Sequence, residues 1–370
     1  MTPEAPALFL AAPPGLEPVV AAEARAAGFA QVVPVPGGIE CAGGWPEVMR
    51  ANLMLGTPTR VLWRIGAFRA PHLAMLDKRA RRFAWGDWLR PDISVRVEAT
   101  SRASRIWHAG AAAQRIAAAI ADTLGAAVAE DAPVTLKARI EDDLVTLSLD
   151  TSGAGLWQRG YRPETGKAPL RESLACAFLR QAGFDGREAV VDPMCGSGTF
   201  AIEAAGIAAG LPPGRARGFA FELFAGFDAA AWAGLRAGVP SAPAGPVVAW
   251  GADRDQGAIQ AATANAARAG VAGLTAFARR PVSDLVPPDG VAPGLVITNP
   301  PWGARIGQRK PLFALYGAFG QVLAQRFAGW RVAVVCPDAG LIGATGLGLE
   351  PAGPPVDIGG IKARLWLGQV

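Results

Sequence analysis

Ala189-Val-Val-Asp-Pro-Met-Cys-Gly-Ser-Gly-Thr-Phe200 opens as a short apolar strand, reaches Asp192, crosses Gly196 and Gly198, and enters an apolar helix, Phe200-Ala-Ile-Glu-Ala-Ala-Gly-Ile-Ala. Glycines at a strand-to-helix turn let a ligand approach the backbone closely. The helix N-terminus adds free N–H groups and a partial positive charge. Three ligand classes use such a turn. A P-loop needs Gly-Lys-Ser/Thr, and Gly198 is followed directly by Thr199, which excludes it. A dinucleotide turn wants a third glycine, where this chain has Ala201, a tolerated replacement. The third class is S-adenosylmethionine, whose amino group can pair with an acid at the mouth of the first strand while no phosphate has to be cradled. A purely structural turn is the plain alternative.

The flanking segments extend the pattern. Val247-Val-Ala-Trp-Gly-Ala-Asp253 is apolar and ends in an acid, followed by Asp255. An acid at the end of the second strand takes ribose hydroxyls in nucleotide-type α/β sites. Leu274 to Arg279 predicts a third strand, and Ser283-Asp284 beyond it is a candidate for an adenine amino group. Leu295–Pro301, a helix from Pro311 to Phe327 and the run Arg331–Cys336 follow. Strands alternating with helices predict a parallel sheet covered on both faces. Asp192 and Asp253 lie 61 residues apart, where a plain unit expects roughly 20. Leu211–Pro246 is therefore an insertion, and its Phe219, Phe221, Phe224, Phe227 and Trp232 predict that it is packed. Gly343–Pro355 reads as a loop. Val356–Ile358 and Ile361–Leu367 read as an antiparallel edge on the sheet.

A second motif, Thr298-Asn-Pro-Pro-Trp-Gly303, ends the buried strand Gly294-Leu-Val-Ile. It suits the gripping of a planar group with an exocyclic NH2. The Asn299 amide oxygen and the Pro300 carbonyl can each accept one N–H. Pro300 and Pro301 fix the acceptors by locking φ and removing backbone donors, and Trp302 offers a face for a base to stack on. A proline-rich turn after a strand is the plain alternative.

A chain of 370 residues fits two or three domains. The net charge of +5 is unevenly spread: residues 60–115 carry 12 basic and 4 acidic groups, against 2 and 5 in residues 1–59 and 3 and 7 in residues 116–160. Lys78, Arg79, Arg81 and Arg82, with Arg102 and Arg105 beyond, lie in that basic stretch and are candidates for RNA phosphate contact. Phe83, Trp85 and Trp88 among them read as core instead. The four cysteines (41, 176, 195, 336) form no Cys-x-x-Cys, so no zinc knuckle or disulfide framework is indicated. Cys195 reads as a small packing residue of the turn and not a nucleophile. His72 and His108 are the sole histidines, too few for a histidine-based metal site or triad. The apolar run Ala5–Pro13 is too short for a signal peptide, and no run of about 20 apolar residues suggests a membrane span. The expectation is a cytoplasmic protein without metal.

The N-terminal half predicts Leu8–Ala11, a helix 17–27 and strands near 31–35 and 38–41. Helix 46–55, strand 60–68, helix 71–83, strand 93–99, helix 109–124 and a hairpin of 134–139 with 144–149 follow.

Asp192–Thr199, Asn299-Pro-Pro-Trp-Gly-Ala-Arg-Ile-Gly307 and Gln158-Arg-Gly-Tyr-Arg162 with Ala168-Pro-Leu-Arg-Glu172 resemble the THUMP-domain RNA guanine-N2 methyltransferases, which act on ribosomal or transfer RNA. Gly15-Leu-Glu17, Ala51-Asn-Leu-Met-Leu55 and Arg60-Val-Leu62 extend the resemblance, more loosely, over nearly the whole chain. It implies a Rossmann-like, seven-stranded methyltransferase sheet preceded by α+β ferredoxin-like and THUMP modules. The boundaries it implies are 1–45 for the ferredoxin-like part, 46–155 for an RNA-binding THUMP domain, 156–168 for a linker and 169–370 for the methyltransferase domain. It also implies S-adenosyl-L-methionine as donor and a structured RNA as partner. Asp192, Pro193, Met194, Cys195, Gly196, Ser197, Gly198 and Thr199 would hold the methionine part of the donor. Asp253 would take the ribose, Asp284 the adenine, and Pro169 and Leu170 would complete the donor site. Asn299 and Pro300 would accept from the guanine N2 amine, with Pro301 behind them and Trp302 stacking the base where the family usually has Tyr. Adenine-N6 and glutamine-N5 methyltransferases share such sites. A non-catalytic RNA-binding protein and an NAD-dependent oxidoreductase are further alternatives; the intact motifs speak against the first, and the missing third glycine together with the Asn-Pro-Pro against the second.

Overall fold

The computed structural model describes residues 7–162, 170–241, 245–303 and 309–370. The chain forms two compact units. One runs to Ala12 and continues over Val20–Leu156 and Arg217–Gly238; the other comprises Pro13–Val19, Trp157–Ala216 and Val239–Val370.

The first unit carries β1 (Ala7–Ala11), α1 (Glu17–Ala26), β2 (Val33–Val35), β3 (Gly38–Ala42), α2 (Trp45–Met54), β4 (Arg60–Arg69), α3 (Leu73–Ala80), β5 (Val95–Arg102), α4 (Ala109–Leu124), β6 (Val134–Glu141) and β7 (Leu144–Asp150), with α1 beginning in the residues assigned to the second unit. Its strands form one seven-stranded sheet in the order β2-β3-β1-β4-β7-β6-β5, so a single sheet runs from residue 7 to residue 150. All its pairings are antiparallel except β5 with β6. Burial alternates along β4 and β6, the period-2 signature of a sheet with one face on a core. The other face carries the ion pairs Arg64–Glu40, Lys137–Glu98 and Arg139–Glu141. The helix expected over 71–83 is shorter. His72 caps its start by accepting the Met75 N–H at 3.2 Å, and the Trp85 indole takes the Ala80 carbonyl at 2.8 Å at its end. Trp85 is fully buried and Trp88 half-buried, in line with a core role for these rings.

The second unit begins with α5 (Glu172–Gln181), β8 (Val190–Asp192) and α6 (Thr199–Ala208). The chain then rejoins the first unit over Arg217–Gly238, which holds α7 (Ala229–Ala237), capped by the Asp228 carboxylate. It returns for β9 (Ala249–Asp253), α8 (Gln256–Arg268), β10 (Thr275–Arg279), β11 (Leu295–Thr298), α9 (Arg309–Arg326), β12 (Arg331–Cys336), α10 (Ala339–Ala344), β13 (Glu350–Pro351), β14 (Val356–Ile358) and β15 (Ile361–Gln369). The strands lie in the order β10-β9-β8-β11-β12-β15-β13, with β14 paired to β15 beside that path. The five strands from β10 to β12 are parallel, and β15 runs antiparallel to β12. Leu295 and Ile297 of β11 enter one apolar cluster and Val296 the opposite one; burial on both faces is what a parallel sheet requires. Two expectations change here. Gly343–Pro355 is not all loop, since α10 reaches into it and β13 pairs with β15. Beyond β15 therefore lies β13, whose two residues are too few to show a period.

The aromatic part of the insertion, Arg217–Gly238, is packed as its rings predict, and it packs within the first unit. Phe219 stacks on Phe221 at 5.4 Å, Trp232 meets Phe221 edge-on at 5.1 Å, and Phe227 lies 5.9 Å from Phe221. Trp45 continues the chain of rings to Phe227, Phe224 and Trp63, and Trp63 to Trp88. Trp232 is 5% exposed. Trp232→Ala is expected to destabilise the protein by about 3–5 kcal/mol, read by urea denaturation. A change below about 1 kcal/mol, within the range of an ordinary surface substitution, would show that these rings do not hold the segment.

Candidate active site

After β8 the chain builds β9 and β10 outward on one side and then crosses back to place β11 on the other. In open α/β sheets a ligand crevice forms beyond the carboxyl ends of the strands at such a reversal of order. The parallel register sets Val190 beside Leu295 and Val191 beside Val296. Asp192 and Asn299, from the two sequence motifs, thus emerge at the same end of neighbouring strands.

The turn after β8 is held by backbone and carboxylate bonds. The Cys195 N–H donates to Ala252 at 2.9 Å and the Gly198 N–H to the Cys195 carbonyl at 2.8 Å. Gly196 and Gly198 have φ of +52° and +86°. A Cβ at Gly198 would lie 3.0 Å from Ala262 and 3.2 Å from the Phe277 ring, whereas one at Gly196 would meet nothing within 4 Å. Gly198 is therefore demanded by packing, and Gly196 leaves its side of the turn open to a ligand. Asp253, half-buried at the end of β9, accepts the Gly196 N–H at 3.0 Å on one oxygen and the Asp255 N–H at 2.9 Å on the other. Asp284 is exposed in a single 3-10 turn beyond β10 and accepts the Ser283 hydroxyl. Pro193 is buried, and Met194 packs on one apolar cluster. The Cys195 thiol is buried and pushed well above its usual pKa, first by burial and then by Asp192 and Asp253, so it is no thiolate nucleophile. Leu170 is buried in the core beside α5, and Pro169 lies outside the described residues.

Asp192 is 2% exposed and forms no ion pair among the described residues. Burial pushes its pKa up to about 7; neighbouring Thr298 and the Met194 N–H, 3.2 Å away, hold it down, and the Asp253 carboxylate raises it further. The buried Thr298 hydroxyl has no partner in good hydrogen-bond geometry among the described residues. A buried carboxylate without a cation fits a ligand that brings an ammonium group.

Across from it, the Asn299 amide oxygen is buried and has no hydrogen-bond partner among the described residues. Pro300 is buried, Pro301 exposed and Trp302 half-buried. The Trp302 indole donates to the Val335 carbonyl of β12 at 2.8 Å, and its ring packs against both apolar clusters. Trp in place of Tyr thus ties the ring to the sheet through its own N–H. Tyr316 of α9, 1% exposed, donates to the Pro301 carbonyl at 3.4 Å.

Sequence reasoning missed the residues that brace the glycine turn. Asn265 of α8 is buried and donates to the Ser197 carbonyl at 3.0 Å. Arg268 donates to Asn265 and to the Tyr161 carbonyl. Arg162 donates to Thr199 at 2.9 Å, to the Leu170 carbonyl at 3.2 Å and to Glu172 at 3.0 Å. Arg159 pairs with Glu203 of α6, and the Tyr161 hydroxyl donates to the same carboxylate at 3.0 Å. These ion pairs are almost wholly buried. The signal was the Gln158–Arg162 motif, whose charges are dense for a linker; the partners 8 to 107 residues away were not legible.

The six cations expected to contact RNA do not form one patch. Arg81 is bound by Asp77 and by Asp122 in the last turn of α4. Arg102 and Arg105 precede the first turn of α4, a helix of 16 residues and so about 24 Å long. Lys78, Arg79 and Arg82 are exposed with no ion pair among the described residues, and Arg105 lies 3.6 Å from Asp143.

A Rossmann-like sheet with a glycine turn after its first strand and Asn-Pro-Pro-Trp after its fourth defines the S-adenosylmethionine-dependent methyltransferase class. Residues 159–342 match the RMKL-like methyltransferase domain and residues 7–62 the RlmL ferredoxin-like domain. The chain is 33% identical over 363 residues to "Putative RNA methyltransferase slr0064" of Synechocystis, covering 95% of this chain and 93% of that protein. It is 37% identical over 365 residues to the ribosomal RNA large subunit methyltransferase K/L of Chromohalobacter salexigens, covering 93% of this chain and 50% of that protein. The chain spans about half the length of the K/L relatives it matches. A Listeria monocytogenes crystal structure described as a predicted N6-adenine-specific DNA methylase superposes with TM-score 0.86 at 27% identity, covering 98% of this chain and 95% of that one. The crystal structure of SMU.472 complexed with SAH gives 0.85 at 25%, covering 99% and 98%. The chain belongs to the RMKL-like family of S-adenosylmethionine-dependent RNA methyltransferases.

The Asp192 shift has a sign. Its carboxyl holds its proton more tightly when folded, so the unliganded protein loses stability as pH rises from about 4 through 7, by an amount on the order of 4 kcal/mol. Asp192→Asn removes the charge. It is expected to raise the stability of the unliganded protein at pH 8 and to leave it nearly unchanged at pH 4, as read by urea denaturation at both values. Equal effects at the two values would contradict the assigned ionisation.

Proposed function

We propose that this chain transfers the methyl group of S-adenosylmethionine to the exocyclic N2 amine of a guanine in ribosomal RNA. The observation that carries the reading is the orphaned Asn299 oxygen, a buried acceptor across the strand pair from the glycine turn. A buried acceptor without a partner is costly in the folded protein, and an amine presented by a flipped base satisfies it.

The residues present fit the donor. The unpaired Asp192 carboxylate suits its ammonium group, and the turn 193–199, open above Gly196, suits the rest of its methionine part. Asp253 keeps free lone pairs for ribose hydroxyls, Asp284 would take the adenine, and Pro169 and Leu170 would complete the site. Bound S-adenosylmethionine supplies a methyl carbon made electrophilic by its sulfonium. Asn299 and the Pro300 carbonyl accept the two N–H bonds of the guanine amine and aim its lone pair; Pro301 and the tethered Trp302 ring keep the base planar and in place. Positioning supplies most of the rate. The amine proton leaves after attack, so the chain needs no strong base, in keeping with the protonated Cys195.

The names of the K/L relatives support ribosomal RNA as partner. We assign residues 46–155 to RNA binding as a THUMP domain, 1–45 to the ferredoxin-like part, 156–168 to the linker and 169–370 to the methyltransferase, and we place the protein in the cytoplasm with its substrate. The same pair of acceptors fits an adenine N6 amine, the chemistry in the description of the Listeria structure.

Incubated with labelled donor and unmodified large-subunit ribosomal RNA, the protein is expected to give N2-methylguanosine on digestion to nucleosides; label in N6-methyladenosine would overturn the choice of base. Asn299→Ala should lower transfer by about 10²-fold or more with donor affinity by calorimetry unchanged. A collapse of donor affinity would contradict the role of Asn299. Donor affinity should fall as pH drops below about 7, where Asp192 takes up its proton, and this dependence should vanish in Asp192→Asn.

A further inference from the structure

Trp107 is 81% exposed, more than any other large apolar side chain described. A ring of that size ordinarily goes to a core or keeps most of its face covered. Its loop, between β5 and α4, is also not slack. The Ser101 hydroxyl donates to the Ile106 carbonyl and the Ser104 hydroxyl to the Arg102 carbonyl at 2.8 Å. Asp143, in the hairpin turn between β6 and β7, accepts the Arg105 N–H at 2.8 Å and donates its own N–H to Ser104 at 3.1 Å. Ile106 anchors the loop in the core at 4% exposure. Ala103 and Asp143 hold left-handed φ of +47° and +61°, a conformation these bonds must maintain against its cost. On the C-terminal side, His108 caps α4 by accepting the Ala111 N–H at 2.9 Å, and its ring stands 5.6 Å from the indole at 65°. The indole is thus held outward by a built loop and braced from the side by a fixed imidazole.

Its charged neighbours in the loop, Arg102 and Arg105, are exposed; residues 101–110 contain no acid, and Asp143 of the neighbouring hairpin lies 3.6 Å from the Arg105 guanidinium, which is still 79% exposed. An outward aromatic face beside cations suits a polyanion that offers flat faces, the chemistry of an unpaired nucleotide. We propose that Trp107, in the first unit, is a stacking platform for an unpaired base of the RNA, with Arg102 and Arg105 on the adjacent phosphates. This rests on the RNA reading above and adds where a single-stranded part of that RNA is gripped.

Binding of fluorescent oligouridylate, and of an RNA duplex of equal length, is measured for wild type, Trp107→Ala, Trp107→Phe and the Arg102→Ala/Arg105→Ala pair across a salt series. Trp107→Ala is expected to weaken oligouridylate binding by roughly tenfold or more, leaving the salt slope and duplex binding unchanged. Trp107→Phe should keep most of the affinity, and the arginine pair should lower the slope by about one unit. On ribosomal RNA, Trp107→Ala should raise KM with kcat unchanged. The proposal is overturned if Trp107→Ala binds oligouridylate as wild type does, if wild type does not bind it, or if the substitution changes the sedimenting species and not RNA affinity, the mark of a protein contact. Methyl transfer by wild type to ribosomal RNA separates the two readings. Transfer that persists while Trp107→Ala binds normally removes the platform alone, and a wild type inactive on RNA removes the reading beneath it.

Discussion

The parallel pairing of β8 with β11 is the constraint on which the site depends. It brings into register two strands about 100 residues apart and sets the glycine turn and the Asn-Pro-Pro-Trp segment at one edge of the sheet. Both strands are short and buried on both faces. Their register is therefore fixed by the two apolar clusters they divide, and a slip of one residue would exchange those faces. The crossing of the chain from β10 to β11 puts the reversal of strand order there, the place at which such sheets form a ligand crevice.

Around this pair the protein stores two unmet demands. Among the described residues, Asp192 is a buried acid without a cation and Asn299 holds a buried oxygen without a donor. Each is costly alone, and each is met by a different ligand: an ammonium on one side, an amine on the other. The surroundings keep both groups from relaxing. Asn265, Arg268 and Arg162 clamp the glycine turn, while the tethered Trp302 and the Tyr316 hydroxyl fix the segment after β11. The chain's two tyrosines, Tyr161 and Tyr316, each serve one of these supports.

What the sequence disclosed follows the range of the forces involved. Strand alternation, the glycine turn and the Asn-Pro-Pro-Trp segment are local patterns; Arg331–Cys336 and helix 109–124 have the expected bounds. The aromatic content of residues 211–246 announced burial, but not that the segment packs with Trp45. The basic stretch 60–115 reads as one patch along the chain, whereas α4 separates its two clusters and Asp122 captures Arg81. The bonds of Asn265 and Arg162 join partners that no spacing rule connects. Trp107 carries no sequence mark of exposure, because an aromatic at the start of a helix usually turns inward.

The most direct test is a crystal structure of the protein with S-adenosylhomocysteine and a guanosine nucleotide. The account predicts the purine amino nitrogen at about 3 Å from the Asn299 amide oxygen, directed at the donor sulfur, with the donor's amino group on Asp192. An Asn299 side chain bonded within the protein, or a donor seated away from the turn after β8, would contradict it.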